Sequence, residues 1–223
     1  AAIQYLMPGE DAPEHRHTQH AFRFVVEGEG VWTVVGCDPV AMRRGDFATA
    51  WNISDALLAT KQDQTNLRRW FQSVWDGRSV VGKRILVHCY HGLGDTIQFI
   101  RYARLLKAIA AEVIVWAQPS LIPLLQTVRG IDQLLPLHDG APEVEYDVDV
   151  ELNELPYLFR TTLATVPADV PYIFVEPASL ARNGRFRVGL IWQSGDWDNR
   201  RSIPFSEVKR LEQSRPGLLI DAR

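Results

Sequence analysis

Cysteine is scarce in this chain of 223 residues: there are two, Cys37 and Cys89. Two cysteines imply no disulfide framework, and a reducing, cytoplasmic setting is expected. A dominant charge is missing as well. The formal net charge is -3, so no strong basic field draws nucleic acid or an anionic membrane. No apolar run approaches the roughly 20 residues that a membrane helix needs. The opening AAIQYLMPGEDAPE has neither the charged start nor the apolar core of a signal peptide. It also begins without Met, and the expectation is a processed product or a fragment. There is no internal repeat, no low-complexity tract, no P-loop and no G-x-G-x-x-G spacing.

What is present is ordinary for a globular chain: 46% hydrophobic and 23% charged residues. The length suits one large domain or two small ones. The character of the chain changes near residues 53–69. Before that lie short β-like runs, IQYLM, AFRFVVEG, GVWTVVG and DFATAW, separated by turn signals at Pro8-Gly9, Gly28 to Gly30 and Gly45-Asp46. The segment ISDALLATKQDQTNLRRW reads as a connecting helix or seam. Beyond it the pattern alternates. RILVHC is a strand, residues 96–111 have helical spacing, VIVWA is a strand and SLIPLLQTV a helix. IDQLLPL, DVDVEL and RVGLIW are further strands, and FSEVKRLEQS is a helix before a last strand, LLIDA. Strands alternating with helices predict a parallel, doubly wound sheet.

Two stretches carry candidate chemistry. In PEHRHTQHAFRF, His15 and His17 are two apart. On an extended strand both imidazoles share a face, as metal binding requires, and a third ligand would complete a site for non-haem iron. The alternative is a polar loop with exposed histidines. In HCYHGLGDTIQFIRY, Gly92 and Gly94 allow a tight turn between a strand and a helix, where open α/β sheets place their ligands. Asp95 reads as the helix N-cap, with Gln98 three residues later completing a capping pair. It also reads as a base for a substrate hydroxyl, and the two roles are compatible. His88 and His91 form a metal pair only if further ligands join them, and none but Cys89 stands at ligand spacing.

PGEDAPEHRHTQHAFRFVVEGEGVWTVV, followed by MRRGDF, resembles the first motif and the opening of the second in cupins of the gentisate 1,2-dioxygenase type. The resemblance implies iron held by His15, His17 and a third histidine. That third histidine is absent after Gly45-Asp46-Phe47, and His20 stands at a different spacing. The segment therefore reads as an incomplete cupin without dioxygenase activity, and metal-dependent dioxygenase is the alternative function.

A second resemblance covers residues 67–223. WDGRSVVGKRILVHCYHGLGDTIQFIRYARLL, VWAQPSLIPLL, ELPYLFRTTLATVP and VGLIWQSGDWDNRRSIP resemble heptosyltransferase-like glycosyltransferases of the GT-B fold, including the module that follows tetratricopeptide repeats. This implies transfer of a sugar from a nucleotide-diphosphate sugar to a carbohydrate or protein hydroxyl, inverting and metal-independent. Asp95 would be the general base. Ser194, Gly195, Arg200, Arg201 and Ser202 would contact the donor's phosphates. The chain stops two strands into the donor-side domain, so the transferase is expected to be impaired by truncation.

The expected organisation is a β-rich partial cupin over residues 1–52 and a linker over 53–69. A Rossmann-like acceptor-side GT-B domain follows over 70–183, and the start of the donor-side domain over 184–223. A third functional reading is a fusion product or binding module without catalysis. Unpaired strand edges in residues 1–52 would favour homo-oligomers.

Overall fold

The computed structural model describes residues 9, 32–35, 38–59, 75–176 and 202–214. Packing divides the chain into two compact units, Ala1–Glu176 and Pro177–Arg223.

The first unit holds a two-stranded antiparallel ribbon, β1 (Trp32–Val35) and β2 (Asp38–Ala41), with Trp32 opposite Ala41 and Val35 opposite Asp38. WTVV, within the predicted run GVWTVVG, is thus a strand, as its β-branched content predicts.

DFATAW, expected to be another β-like run, instead opens helix α1 (Phe47–Ala59). The reason is local and then tertiary. Gly45 turns the chain at φ 71. The Asp46 carboxylate accepts the Thr49 N–H at 3.1 Å and the Thr49 hydroxyl at 2.8 Å, capping the helix start. Phe47 and Trp51, one turn apart, then pack with Tyr157 and against Trp75. The expected boundary at residue 52 falls inside this helix.

Residues 84–151 form a four-stranded, wholly parallel sheet in the order β5-β4-β3-β6. Its strands are β3 (Arg84–His88), β4 (Glu112–Ala117), β5 (Gln133–Pro136) and β6 (Val148–Glu151). All four coincide with runs predicted as strands. Ile85, Leu86 and Val87 are consecutive and all buried, so both faces of β3 are covered, as a parallel sheet requires. Ile85, Val87, Val113, Val115, Val148 and Val150 pack with Ile100, Ala103 and Leu106. Leu86, Ile114 and Trp116 form a separate cluster with Tyr90, Leu135, Leu137 and Val144.

The helix expected over 96–111 is observed in pieces: α2 (Leu93–Phe99), a 3-10 turn at Ile100–Tyr102 and α3 (Ala103–Lys107). At the tightened turn Arg101 donates to the Gln98 carbonyl, the Pro167 carbonyl and the Tyr172 hydroxyl. SLIPLLQTV becomes a 3-10 turn at Pro119–Leu121 and a short α4 (Ile122–Leu125). After β6 come a 3-10 turn at Leu152–Glu154 and α5 (Leu155–Leu158).

Within the second unit, α6 (Phe205–Ser214) coincides with the predicted FSEVKRLEQS helix. RVGLIW and LLIDA lie outside the described residues. The fold is therefore α/β with a four-stranded parallel sheet. Among the described residues no helix is long and apolar enough to cross a membrane.

Candidate functional site at the carboxyl edge of the sheet

The strand order reverses between β3 and β6. From β3 the chain crosses first to β4 and β5 on one side, and only then to β6 on the other. The carboxyl ends of β3 and β6 thus flank a topological switch point, where open α/β sheets bind their ligands. The parallel register sets His88 opposite Glu151 at that edge.

The turn leaving β3 carries Cys89, Tyr90, His91 and Gly92. It is pinned from both sides. From the end of β4, Gln118 donates its side-chain N–H to the His91 carbonyl at 2.6 Å, and accepts the Thr96 hydroxyl at 2.9 Å. From β6, the Glu151 carboxylate meets His91 Nε2, with both side chains 4% exposed. His88 Nδ1 bonds the Tyr90 hydroxyl, and His88 Nε2 lies 3.4 Å from the Asp149 carboxylate.

Asp95 is not the N-cap. Gly92 holds that position, and Asp95 is the third residue of the helix. Its carboxylate reaches back to accept the Gly92 N–H at 3.1 Å. The reciprocal partner is thus Asp95 itself, and Gln98 is not needed. A carboxylate in the first turn also faces the positive end of the helix dipole. The glycines serve differently from expectation. Neither Gly92 nor Gly94 has a positive φ. A Cβ on Gly92 would stand 3.2 Å from the Asp95 carboxylate, whereas one on Gly94 would meet nothing within 4 Å.

Electrostatics single out Glu151. Burial pushes its carboxyl up to about 8, and the nearby charges of Glu154 and Asp95 add to the shift. Glu154 also accepts the Glu151 backbone N–H at 2.9 Å and the Trp75 N–H at 3.1 Å. Burial likewise pushes the Cys89 thiol up to about 12, so it is neutral and a poor nucleophile. The sequence reading missed Glu151. The available signal was an acidic residue closing the otherwise apolar DVDVEL run.

Of the other residues singled out from sequence, Ser202 sits at a half-buried bend just before α6. His15, His17, Ser194, Gly195, Arg200 and Arg201 lie outside the described residues. Among the described residues no group of three or more histidine, cysteine, aspartate or glutamate side chains is placed to hold a metal ion. The donor chemistry of the expected iron site is met in part. His15 and His17 are two imidazoles at the right spacing, but the stretch after Gly45-Asp46-Phe47 is helix α1 and carries no third histidine.

Comparison with known proteins points to the N-terminal segment. A cupin domain model matches residues 2–50. Within such proteins the relatives are dioxygenases. Gentisate 1,2-dioxygenase of a Streptomyces species is 78% identical over 46 residues, which is 21% of this chain and 13% of that protein. Gentisate 1,2-dioxygenase of a Ralstonia species is 54% identical over 45 residues, 20% of this chain and 13% of the relative. Gentisate 1,2 dioxygenase 1 of Aquipseudomonas alcaligenes is 51% identical over 47 residues, 21% of this chain and 14% of the relative. The match therefore spans a small fraction of each relative's length. No solved structure matches the chain.

These matches correct the glycosyltransferase reading: they are to a cupin domain and to segments of gentisate 1,2-dioxygenases, and none supports a GT-B relationship. A parallel α/β sheet hosts many chemistries, so its pattern alone does not define a transferase. Asp95, the expected base, is engaged in capping its own helix. The roles expected of Ser194, Gly195, Arg200, Arg201 and Ser202 toward a nucleotide sugar rested on that reading and are not carried forward.

Proposed function

We propose that residues 2–50 are the iron-holding segment of a cupin-type dioxygenase acting on gentisate or a close aromatic analogue. The single observation behind this reading is the 78% identity to the Streptomyces dioxygenase over 46 residues. His15 and His17 lie inside the matched cupin segment, and we assign them as two of the iron ligands. Neutral imidazole nitrogens suit ferrous iron, which in such enzymes supplies the chemistry with dioxygen. The third donor is His20, which like His15 and His17 lies outside the described residues, or another group there. The sequence alone argued for a silent, incomplete cupin. The identity to proteins named gentisate 1,2-dioxygenase favours the enzymatic alternative. Residues 75–176 fit one half of a doubly wound sheet accompanying this segment.

Metal analysis and oxygen uptake test the proposal. After anaerobic reconstitution with ferrous iron and desalting, the chain should retain iron, and His15→Ala or His17→Ala should lose it. Gentisate should then stimulate oxygen uptake by the wild-type chain. Iron retained equally by both variants would sink the ligand assignment. Retention without gentisate-dependent uptake would leave a metal-binding segment and remove the dioxygenase.

A further inference from the structure

The cupin reading leaves the best-built polar cluster of the molecule without a role. Glu151 and His91 face each other at the switch point, both buried, and join the two segments that border it. We propose that one proton shared by His91 and Glu151 latches the turn between β3 and α2, and that alkaline pH releases this latch and opens the carboxyl edge of the sheet.

The groups around Glu151 explain the direction. His91 comes from the turn, Cys89 and His88 from the end of β3, Asp95 from α2 and Glu154 from the turn after β6. None of these is a lysine or arginine. With one proton in the pair, the Glu151 carboxyl O–H donates to neutral His91 Nε2, and no net charge is buried. Loss of that proton to a solvent base leaves a buried carboxylate beside neutral His91, with the Glu154 and Asp95 carboxylates nearby. Negative charge is then buried with no cation among these groups to balance it. Admitting water is the available relief, and the turn is the movable side because β6 is hydrogen-bonded to β3. Gln118 still holds the His91 carbonyl, so the opening is local. A ligand seated at the switch point would gain access as the latch opens.

Amide hydrogen exchange read by mass spectrometry tests this on the full chain. The peptide covering residues 89–96 should lose protection as pH rises toward about 8, by up to about tenfold per unit, and level off above it, after correction for intrinsic exchange. Glu151→Gln keeps a polar side chain but has no proton to lose, and its protection should stay flat. Unchanged protection in the wild-type chain, or an equal fall in Glu151→Gln, would overturn the latch. The infrared spectrum of the wild-type chain needs no variant. A carbonyl band of one protonated carboxylic acid should be present at neutral pH and vanish as pH passes about 8. Its absence at neutral pH would also overturn the proposal.

Discussion

Trp51 donates its indole N–H to the backbone carbonyl of Thr161 at 2.7 Å, across 110 residues of chain. This bond locks α1 against the segment after α5. The Trp51 ring centroid lies 5.8 Å from that of Phe47 and 5.9 Å from that of Tyr157, extending the same contact. Tyr157 and Arg160 both donate to the Asp55 carboxylate, at 2.6 and 2.5 Å for its Oδ1 atom.

Trp51→Phe should therefore destabilise the first unit by about 1–3 kcal/mol, because a buried carbonyl loses its donor while a ring remains. Trp51→Ala should cost about 3–5 kcal/mol, since the cavity adds to the lost bond. Urea unfolding followed by far-UV circular dichroism measures both. A neutral Trp51→Phe would show that the hydrogen bond contributes nothing, and equal losses in the two variants would show that the ring packing adds nothing to it.

Two glycines should respond in opposite ways to alanine. Gly94 lies inside α2, where a Cβ meets nothing within 4 Å. Gly94→Ala should stabilise by about 0.5–1 kcal/mol through helix propensity and a less flexible unfolded chain. Gly130 has φ +93, and its Cβ would stand 2.8 Å from the Ala103 carbonyl oxygen and the Arg104 Cα, both backbone atoms that cannot swing aside. Gly130→Ala should lower the thermal midpoint clearly. A neutral Gly130→Ala in a thermal melt would contradict the close packing of that turn on α3.

Asp95→Ala removes the acceptor of the Gly92 N–H and a favourable charge at the helix start. A loss of about 1 kcal/mol is expected at neutral pH. Asp95 also raises the Glu151 carboxyl, so the loss should shrink at alkaline pH, where Glu151 is charged and gains from losing a like-charged neighbour. Chemical denaturation of both proteins at two pH values reads this; a loss that grows with pH would contradict the placement of Asp95 beside Glu151.

Glu151 also sets a pH dependence of stability. Its folded value is raised from the ordinary 4.5 to about 8. Folding therefore favours the protonated form. The contribution is fully present below about 4.5 and is lost as pH rises to about 8, with a slope of at most about 1.4 kcal/mol per unit. Glu151→Gln should flatten that part of the profile. A wild-type profile that rises through this window, with no difference from the variant, would show that another group dominates.

How much of this was legible in sequence differs from element to element. RILVH, EVIVWA, QLLP and VDVE were readable as strands because short apolar, β-branched runs between turn signals have few other solutions. The His15 and His17 pair was readable from spacing as either a metal pair or a polar loop, and both residues lie outside the described residues. DFATAW misled because its composition suits a strand, while the Asp46 cap and the packing of Trp51 on Tyr157 select a helix. Asp95 was recognised as a cap residue but placed at the wrong helical position, since the turn geometry that makes Gly92 the cap is not encoded by residue type.

The sequence by itself determined the local alternation of strand and helix, because periodicity is a property of the chain. Tertiary structure alone decided that β6 lies beside β3 and not beyond β5. That choice depends on which face and edge each crossover can bury. It brings Glu151 onto His91, and with them a shared proton that no local pattern announces.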